Sequence, residues 1–353
     1  MDRKSLSARN IRWVKRYPVV VAGCLVCLLI SLTGCGSAAQ PGAVQPRGVH
    51  TPAPPAAPPP STAAPEPAEV GADELGQVPI LMYHQIVPNP SGAYDQTPAE
   101  FRAELERLHR EGYRPITTAQ YISGALDIPA GTHPVVLTFD DSTTSQLRFT
   151  ADGVPAPDCA VGILEAFAAE HPEFGARASF YVTDDAFAGD PRALPWLAEH
   201  GYEIGAHTAT HRNLGNLDAA GVQQELAGNV GTITAAVPGA EVRTMALPLG
   251  VAPADPGLAL VGSTAGTHYT FDAALLVGAN PAASPYTAVD PAAIPRIRSG
   301  RGTVPLDSSY WLDQLAAHPE QRYTSDGDPE RISFPRTATS AVSERWTDRA
   351  APY

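Results

Sequence analysis

The stretch that most constrains this chain is Pro134-Val135-Val136-Leu137-Thr138-Phe139-Asp140-Asp141. Val135, Val136 and Leu137 make a short apolar run of the kind that forms a strand buried on both faces, as in a parallel sheet. The run ends in two adjacent carboxylates. In parallel α/β folds the C-terminal ends of strands are where ligands and metals are handled. Neighbouring strand residues point to opposite sides, so Asp140 and Asp141 suit different tasks, one holding a metal and one handling a proton. The plain alternative is an acidic turn that closes a core strand.

The flanking pattern predicts strands and helices in alternation. Val78 to His84 is an apolar run ending in a polar pair, a first strand. Thr97-Pro98-Ala99-Glu100 has the form of a capping box with Pro at the first helical position. Phe101, Leu105 and Leu108 follow at helical spacing, and Gly112 supplies a stop. Residues 159–170 and Val222 to Val237 read as helices. Shorter helices are predicted after Thr118, around Trp196-Leu197 and over Trp311 to Leu315. Strands are expected over Ala176–Val182, Tyr202–Ala206, Val242–Leu247, Tyr269–Val277 and Ile294–Ile297, with a loose tail over 336–353. Such alternation predicts a parallel sheet or barrel with crossover helices.

Downstream of the Asp pair lies His207-Thr208-Ala209-Thr210-His211. In a helical turn this spacing puts both imidazoles on one face, about 5–6 Å apart at Cβ, where one ion can bridge them. Two exposed polar histidines are the alternative. With Asp141 the set becomes two His and a carboxylate with an open position, the composition of a catalytic zinc site.

Thr138-Phe139-Asp140-Asp141 followed by His207-Thr208-Ala209-Thr210-His211 resembles the NodB-type polysaccharide deacetylases, carbohydrate esterase family 4, over roughly residues 78–300. Pro79-Ile80-Leu81-Met82-Tyr83-His84 is most similar to the exported branch that de-N-acetylates poly-N-acetylglucosamine. The resemblance implies a distorted (β/α) barrel and removal of acetyl groups from N-acetylated sugars. It also implies a divalent metal, Zn2+ or else Co2+ or Ni2+. Asp141, His207 and His211 would hold the metal, and Asp140 would be the general base. Ala246-Leu247-Pro248-Leu249-Gly250 stands at the family's third motif, with the Leu249 N–H as oxyanion donor or simply as part of a turn. Three positions depart from the family pattern. Ser142 replaces a Gly. Ala246 stands where many members carry an Arg that orients the base, a task left to Arg296 unless that is an ordinary surface residue. No Leu-His motif supplies the general acid. His84 is the substitute, or else a structural His, with His268 and His318 as weaker alternatives. A catalytically weak glycan-binding protein and an O-acetyl esterase are the competing functions.

The rest of the chain places this domain, 78–302, outside the cell. Residues 1–35 read as a targeting segment, with six Lys/Arg before residue 17 and an apolar run over 19–30. Leu32-Thr33-Gly34-Cys35 resembles a lipobox, which implies a lipid anchor on Cys35 at the outer face of the cytoplasmic membrane. An ordinary signal peptide and an uncleaved anchor are the alternatives, and all three export the domain. Residues 36–77 are expected to be a Pro/Ala-rich linker, and 303–353 a C-terminal extension. Of four cysteines only Cys159 lies beyond the lipobox, so the exported domain has no internal disulfide to make. Beyond residue 34 the chain carries 18 basic and 36 acidic residues, a balance of −18. That acidity argues against a nucleic-acid partner and leaves a polysaccharide as the expected one.

Overall fold

The computed structural model describes residues 65–353 except positions 301 and 303. The leader, the lipobox with Cys35 and the linker up to residue 64 lie outside the described residues. One helical turn, α1 (Pro67–Val70), precedes β1 (Ile80–Tyr83). α2 (Pro98–Arg110) begins at the predicted capping box, where Thr97 accepts from the Glu100 N–H and Glu100 accepts from the Thr97 N–H. There follow β2 (Tyr113–Ile116), α3 (Thr118–Ser123), β3 (His133–Phe139), α4 (Ala160–Glu170), β4 (Ser179–Val182), α5 (Ala193–Glu199) and β5 (Glu203–Ala206). Next come α6 (Ala219–Ala236), β6 (Thr244–Ala246), β7 (Val261–Thr264), β8 (Thr267–Thr270), β9 (Ala273–Leu275), β10 (Ile297–Arg298) and α7 (Ser308–Ala317). β11 (Ile332–Phe334) and β12 (Ala350–Pro352) end the chain.

The main sheet runs β10-β1-β3-β4-β5-β6-β9, with β2 paired to the first half of β3, and all its pairings are parallel. A parallel bridge from Leu275 to Ile294, just before β10, brings the two ends of the sheet together. The result is the expected distorted (β/α) barrel. β3 is buried along its whole length. Val135, Leu137 and Phe139 pack with Phe101, Leu105, Ile163 and Phe167 of the helices, whereas Val136 packs with Ile80, Tyr181, Ala246 and Leu275. The period-two alternation therefore separates a helix-facing side from a barrel-interior side. Cys159 is buried at the N-terminus of α4, as a small core residue would be.

Several elements differ from the sequence expectation. The strand expected over Tyr269–Val277 is two, β8 and β9, broken at Phe271-Asp272. β8 belongs to an antiparallel hairpin with β7, turned at Ala265 (φ 50°) and Gly266 (φ 84°). The Ile294–Ile297 strand is reduced to a bridge at Ile294 and β10, because Pro295 has no N–H for a ladder. The tail expected to be loose ends in β12, which pairs in parallel with β11.

The stretch expected to be linker up to residue 77 is built into the fold from residue 67. Ala72 and Leu75 are buried, and bridges join Asp73 to Thr324 and Gln77 to Arg322. Gly76 permits this close approach, since a Cβ there would sit 2.4 Å from the Arg322–Tyr323 backbone. The His133 Nδ1, at the start of β3, lies 2.8 Å from the Tyr323 carbonyl oxygen. Residues 72–78 and 321–334 thus cover the end of the barrel where strands begin, opposite the end where β3 delivers its two Asp.

Candidate active site

Asp140 and Asp141 diverge as strand alternation requires. Asp140 continues the interior side of Val136 and Thr138 and is 1% exposed, whereas Asp141 turns to the rim and is half-buried. The turn is made by two non-glycine residues in the left-handed region, Asp141 (φ 72°) and Ser142 (φ 50°). That conformation costs an L-residue roughly 1–2 kcal/mol. At Ser142, which stands where the resembled family has Gly, the cost is offset by hydrogen bonds. Its Oγ accepts from the Thr183 N–H and its carbonyl from the Phe187 N–H. Five of the nine non-glycine residues with positive φ among those described are Asp141, Ser142, Thr208, His211 and Leu249. All five stand at the ends of β3, β5 and β6, and such strain is held where the surroundings over-determine it.

The two histidines meet, though not on a helical turn as expected. Residues 207–211 form a loop after β5 in which Thr208 (φ 66°) and His211 (φ 55°) reverse the backbone. The ring centroids lie 4.9 Å apart. His207 is buried. Its Nδ1 is 2.8 Å from the Ala246 carbonyl oxygen, and its backbone N–H donates to Asn229 Oδ1. With Nδ1–H on that carbonyl, Nε2 is left to face the rim, the usual outer support of a metal-binding imidazole. Asn229 in turn donates to Asp184, so α6 fixes both.

Asp141 Oδ1 lies 3.4 Å from His207 Nε2 and 3.3 Å from His211 Nε2. Four-coordinate zinc with bonds near 2.1 Å spaces its donors about 3.4 Å apart, so the donor set and its spacing fit such an ion. Burial draws the His207 pKa down, but the charges of Asp140 and Asp141 outweigh it and raise it. His211 is shifted down by burial and by His207. Burial pushes Asp141 up, yet its contact with His207 brings it below the ordinary carboxylate range.

Arg296 lies at the heart of the site. It is fully buried and donates in a fork to Asp140, both N···O distances being 2.7 Å. Nη1 also donates to Thr138 Oγ1 and Nε to the Leu276 carbonyl. Burial alone would raise the Asp140 pKa, but the Arg296 charge, followed by His207, holds it well below the usual range. Asp140 is therefore anionic and fixed in direction.

His84 follows β1 beside these groups. Its ring rests on Tyr94, with centroids 5.2 Å apart, and its buried Nδ1 has no protein partner among the described residues. Gln146, which carried no local sequence signal, donates to the carbonyls of both Asp140 and His84 and so ties the two strand ends together. Leu249 (φ 59°) turns the chain after β6 and is 62% exposed. His268 lies on the β7–β8 hairpin and His318 pairs with Glu320, so neither is drawn into this constellation.

Residues 127–261 match the family model of the polysaccharide deacetylases. YxkH of Bacillus subtilis, a protein that carries the same family name, is 26% identical over 169 residues, which are 45% of this chain and 52% of that protein. The chain thus spans about half the length of this curated relative. The Streptococcus pyogenes deacetylase PplD, solved in complex with acetate, is 20% identical over 67% of this chain and 97% of its own, at a TM-score of 0.51. The polysaccharide deacetylase BC0361 from Bacillus cereus is 18% identical over 68% of each chain, at a TM-score of 0.50. These likenesses establish the fold as that of the polysaccharide deacetylases, with the family match over 127–261 enclosing Asp140, Asp141, His207 and His211.

Proposed function

We propose that this chain is a metal-dependent hydrolase that removes acetyl groups from N-acetylglucosamine units of a cell-envelope or biofilm polysaccharide. The observation that carries the reading is a buried, arginine-clamped Asp140 beside the Asp141–His207–His211 cluster. A structural ion site has little use for such a neighbour, whereas hydrolysis needs a fixed proton acceptor next to its electrophile. A divalent ion held by the three ligands, Zn2+ or else Co2+ or Ni2+, supplies Lewis acidity toward water and the acetyl carbonyl.

The remaining work falls to the chain. Both Asp140 oxygens accept from Arg296 and each keeps a second lone pair, from which Asp140 takes the proton of the attacking water. Arg296 keeps Asp140 ionised and aimed at the expense of basicity, so the contribution is more positional than one of proton affinity. The Leu249 N–H donates to the oxygen that gains charge as the carbonyl is attacked. His84 gives a proton to the nitrogen as the C–N bond breaks, which releases acetate and a free amine. An amide's leaving nitrogen needs that proton, and an ester's oxygen needs it less. The acid–base pair thus favours N-acetyl over O-acetyl substrates. The leader and its lipobox at Cys35 support a lipid-anchored enzyme on the outer face of the cytoplasmic membrane, held off it by the proline-rich linker.

The test is acetate release by the metal-stripped and zinc-reloaded chain from N-acetylglucosamine oligomers and from acetylated xylan. Zinc-dependent release from the oligomers is expected. Release from the ester alone would replace the substrate, and release from neither would favour a glycan-binding role.

A further inference from the structure

A second cluster of metal-ligating side chains lies on the helical layer and shares no residue with the site above. His109 stands in the last turn of α2, His171 caps the C-terminus of α4, and Glu173 follows two residues later. His109 Nε2 is 2.6 Å from Glu173 Oε1, and the two imidazole centroids are 4.3 Å apart. One donor atom from each of the three residues lies within 4.8 Å of the others. We propose that His109, His171 and Glu173 form a second divalent-metal site whose two imidazoles and one carboxylate suit Zn2+.

Three features support it. The rings are held in place: His109 meets the faces of Phe167 and Phe174 edge-on, with centroids 6.0 Å away in each case, and His171 rests on Phe167 at 4.6 Å. The one hydrogen bond accounts for His109 and Glu173 but not for His171, whose ring has no hydrogen-bond partner among the described residues. The site also lies where α2 and α4 both end, and the unpaired carbonyls of two helix C-termini favour a cation. Arg102, which stacks over Phe167, is paired with Glu170, so it does not compete for Glu173. Tetrahedral zinc needs donors about 3.4 Å apart, and small rotations of His109 and Glu173 open their contact to that spacing. The two histidines are half-buried and Glu173 is exposed, so the cluster leaves a coordination position to water. The ion would staple α2 to α4 at the end of the barrel away from Asp140.

The metal-stripped full chain is dialysed against micromolar Zn2+ alone. Two ions per chain are expected. The triple variant Asp141→Asn/His207→Ala/His211→Ala should keep one and should gain thermal stability from zinc, as any ligand selective for the folded state provides. Adding His171→Gln should abolish both the ion and the gain. If the triple variant does not fold, His171→Gln in the wild-type background decides, because the other cluster is intact there and one ion should be lost. A wild-type chain with one ion that His171→Gln removes would uphold this site and count against the other. Unchanged stoichiometry in His171→Gln would overturn the proposal.

Discussion

The barrel buries a carboxylate at each end, and the two are treated oppositely. At the end where strands finish, Asp140 is gripped by Arg296 through two 2.7 Å bonds and its pKa is driven down. At the end where strands begin, Glu74 is 2% exposed and accepts from the Ser333 N–H at 2.8 Å and the Tyr323 hydroxyl at 3.0 Å. Among the described residues no arginine donates to it. Arg331 pairs with Asp326 instead, and burial, followed by the Asp326 carboxylate, pushes the Glu74 pKa up to about 7. Burial costs both groups the same kind of desolvation; the partner decides whether the charge survives. A carboxylate kept charged in an interior, at the cost of a buried guanidinium, is placed for chemistry. One allowed to take up a proton is placed to join segments, here residues 72–78 to 323–333.

The contrast can be broken most severely by removing the arginine. Arg296→Met should destabilise the fold by about 3–5 kcal/mol, because it strands a buried charge. Pairing it with Asp140→Asn should restore much of that stability and none of the activity. Urea unfolding of the three variants gives the answer, and equal stability for Arg296→Met and wild type would mean that the fork carries no weight.

The opposite end should respond to pH. The Glu74 pKa is about 7 in the folded chain against an ordinary 4.5, so its contribution is full below pH 4.5 and is lost as pH rises through 7. The loss should be on the order of 3 kcal/mol. Glu74→Gln should flatten this slope while leaving that of Asp140 untouched, and an unchanged stability profile in the variant would assign the slope elsewhere.

A smaller effect sharpens the rim. Ser142→Gly relieves a left-handed serine but deletes its bond to the Thr183 N–H, so the two should cancel to within about 1 kcal/mol. A loss of turnover without a loss of stability would show that the turn's rigidity matters more than its energy.

What was legible in the sequence follows the range of the interactions. β3 and its Asp pair, the capped α2 and the amphipathic helices are local patterns, and each formed close to where it was expected. The pair His207–His211 was legible as a pair but not as a loop, since the spacing suits a helical turn equally well and the positive φ values of Thr208 and His211 leave no compositional mark. Arg296 lies 156 residues from Asp140, and it could be offered as the residue that orients the base only through the family resemblance, because Ile294, Pro295 and Ile297 around it say nothing of a fork. The β7–β8 hairpin was hidden by Ala265 at a turn position where Asn or Asp would have announced it. Glu74 sits at the end of a Pro/Ala-rich run that reads as linker. Its partners come from residues about 250 positions away, and β12 likewise exists only through its parallel pairing with β11.

The central claim is that Asp140 performs the proton transfer while Asp141, His207 and His211 hold the ion. Asp140→Asn in the full chain tests it, with bound zinc and acetate release from N-acetylglucosamine oligomers measured on the same sample. The account predicts zinc binding as in wild type with turnover lower by roughly 10³-fold, the scale of losing a positioned base. Turnover that survives the substitution, or zinc that leaves with the carboxylate, would contradict it.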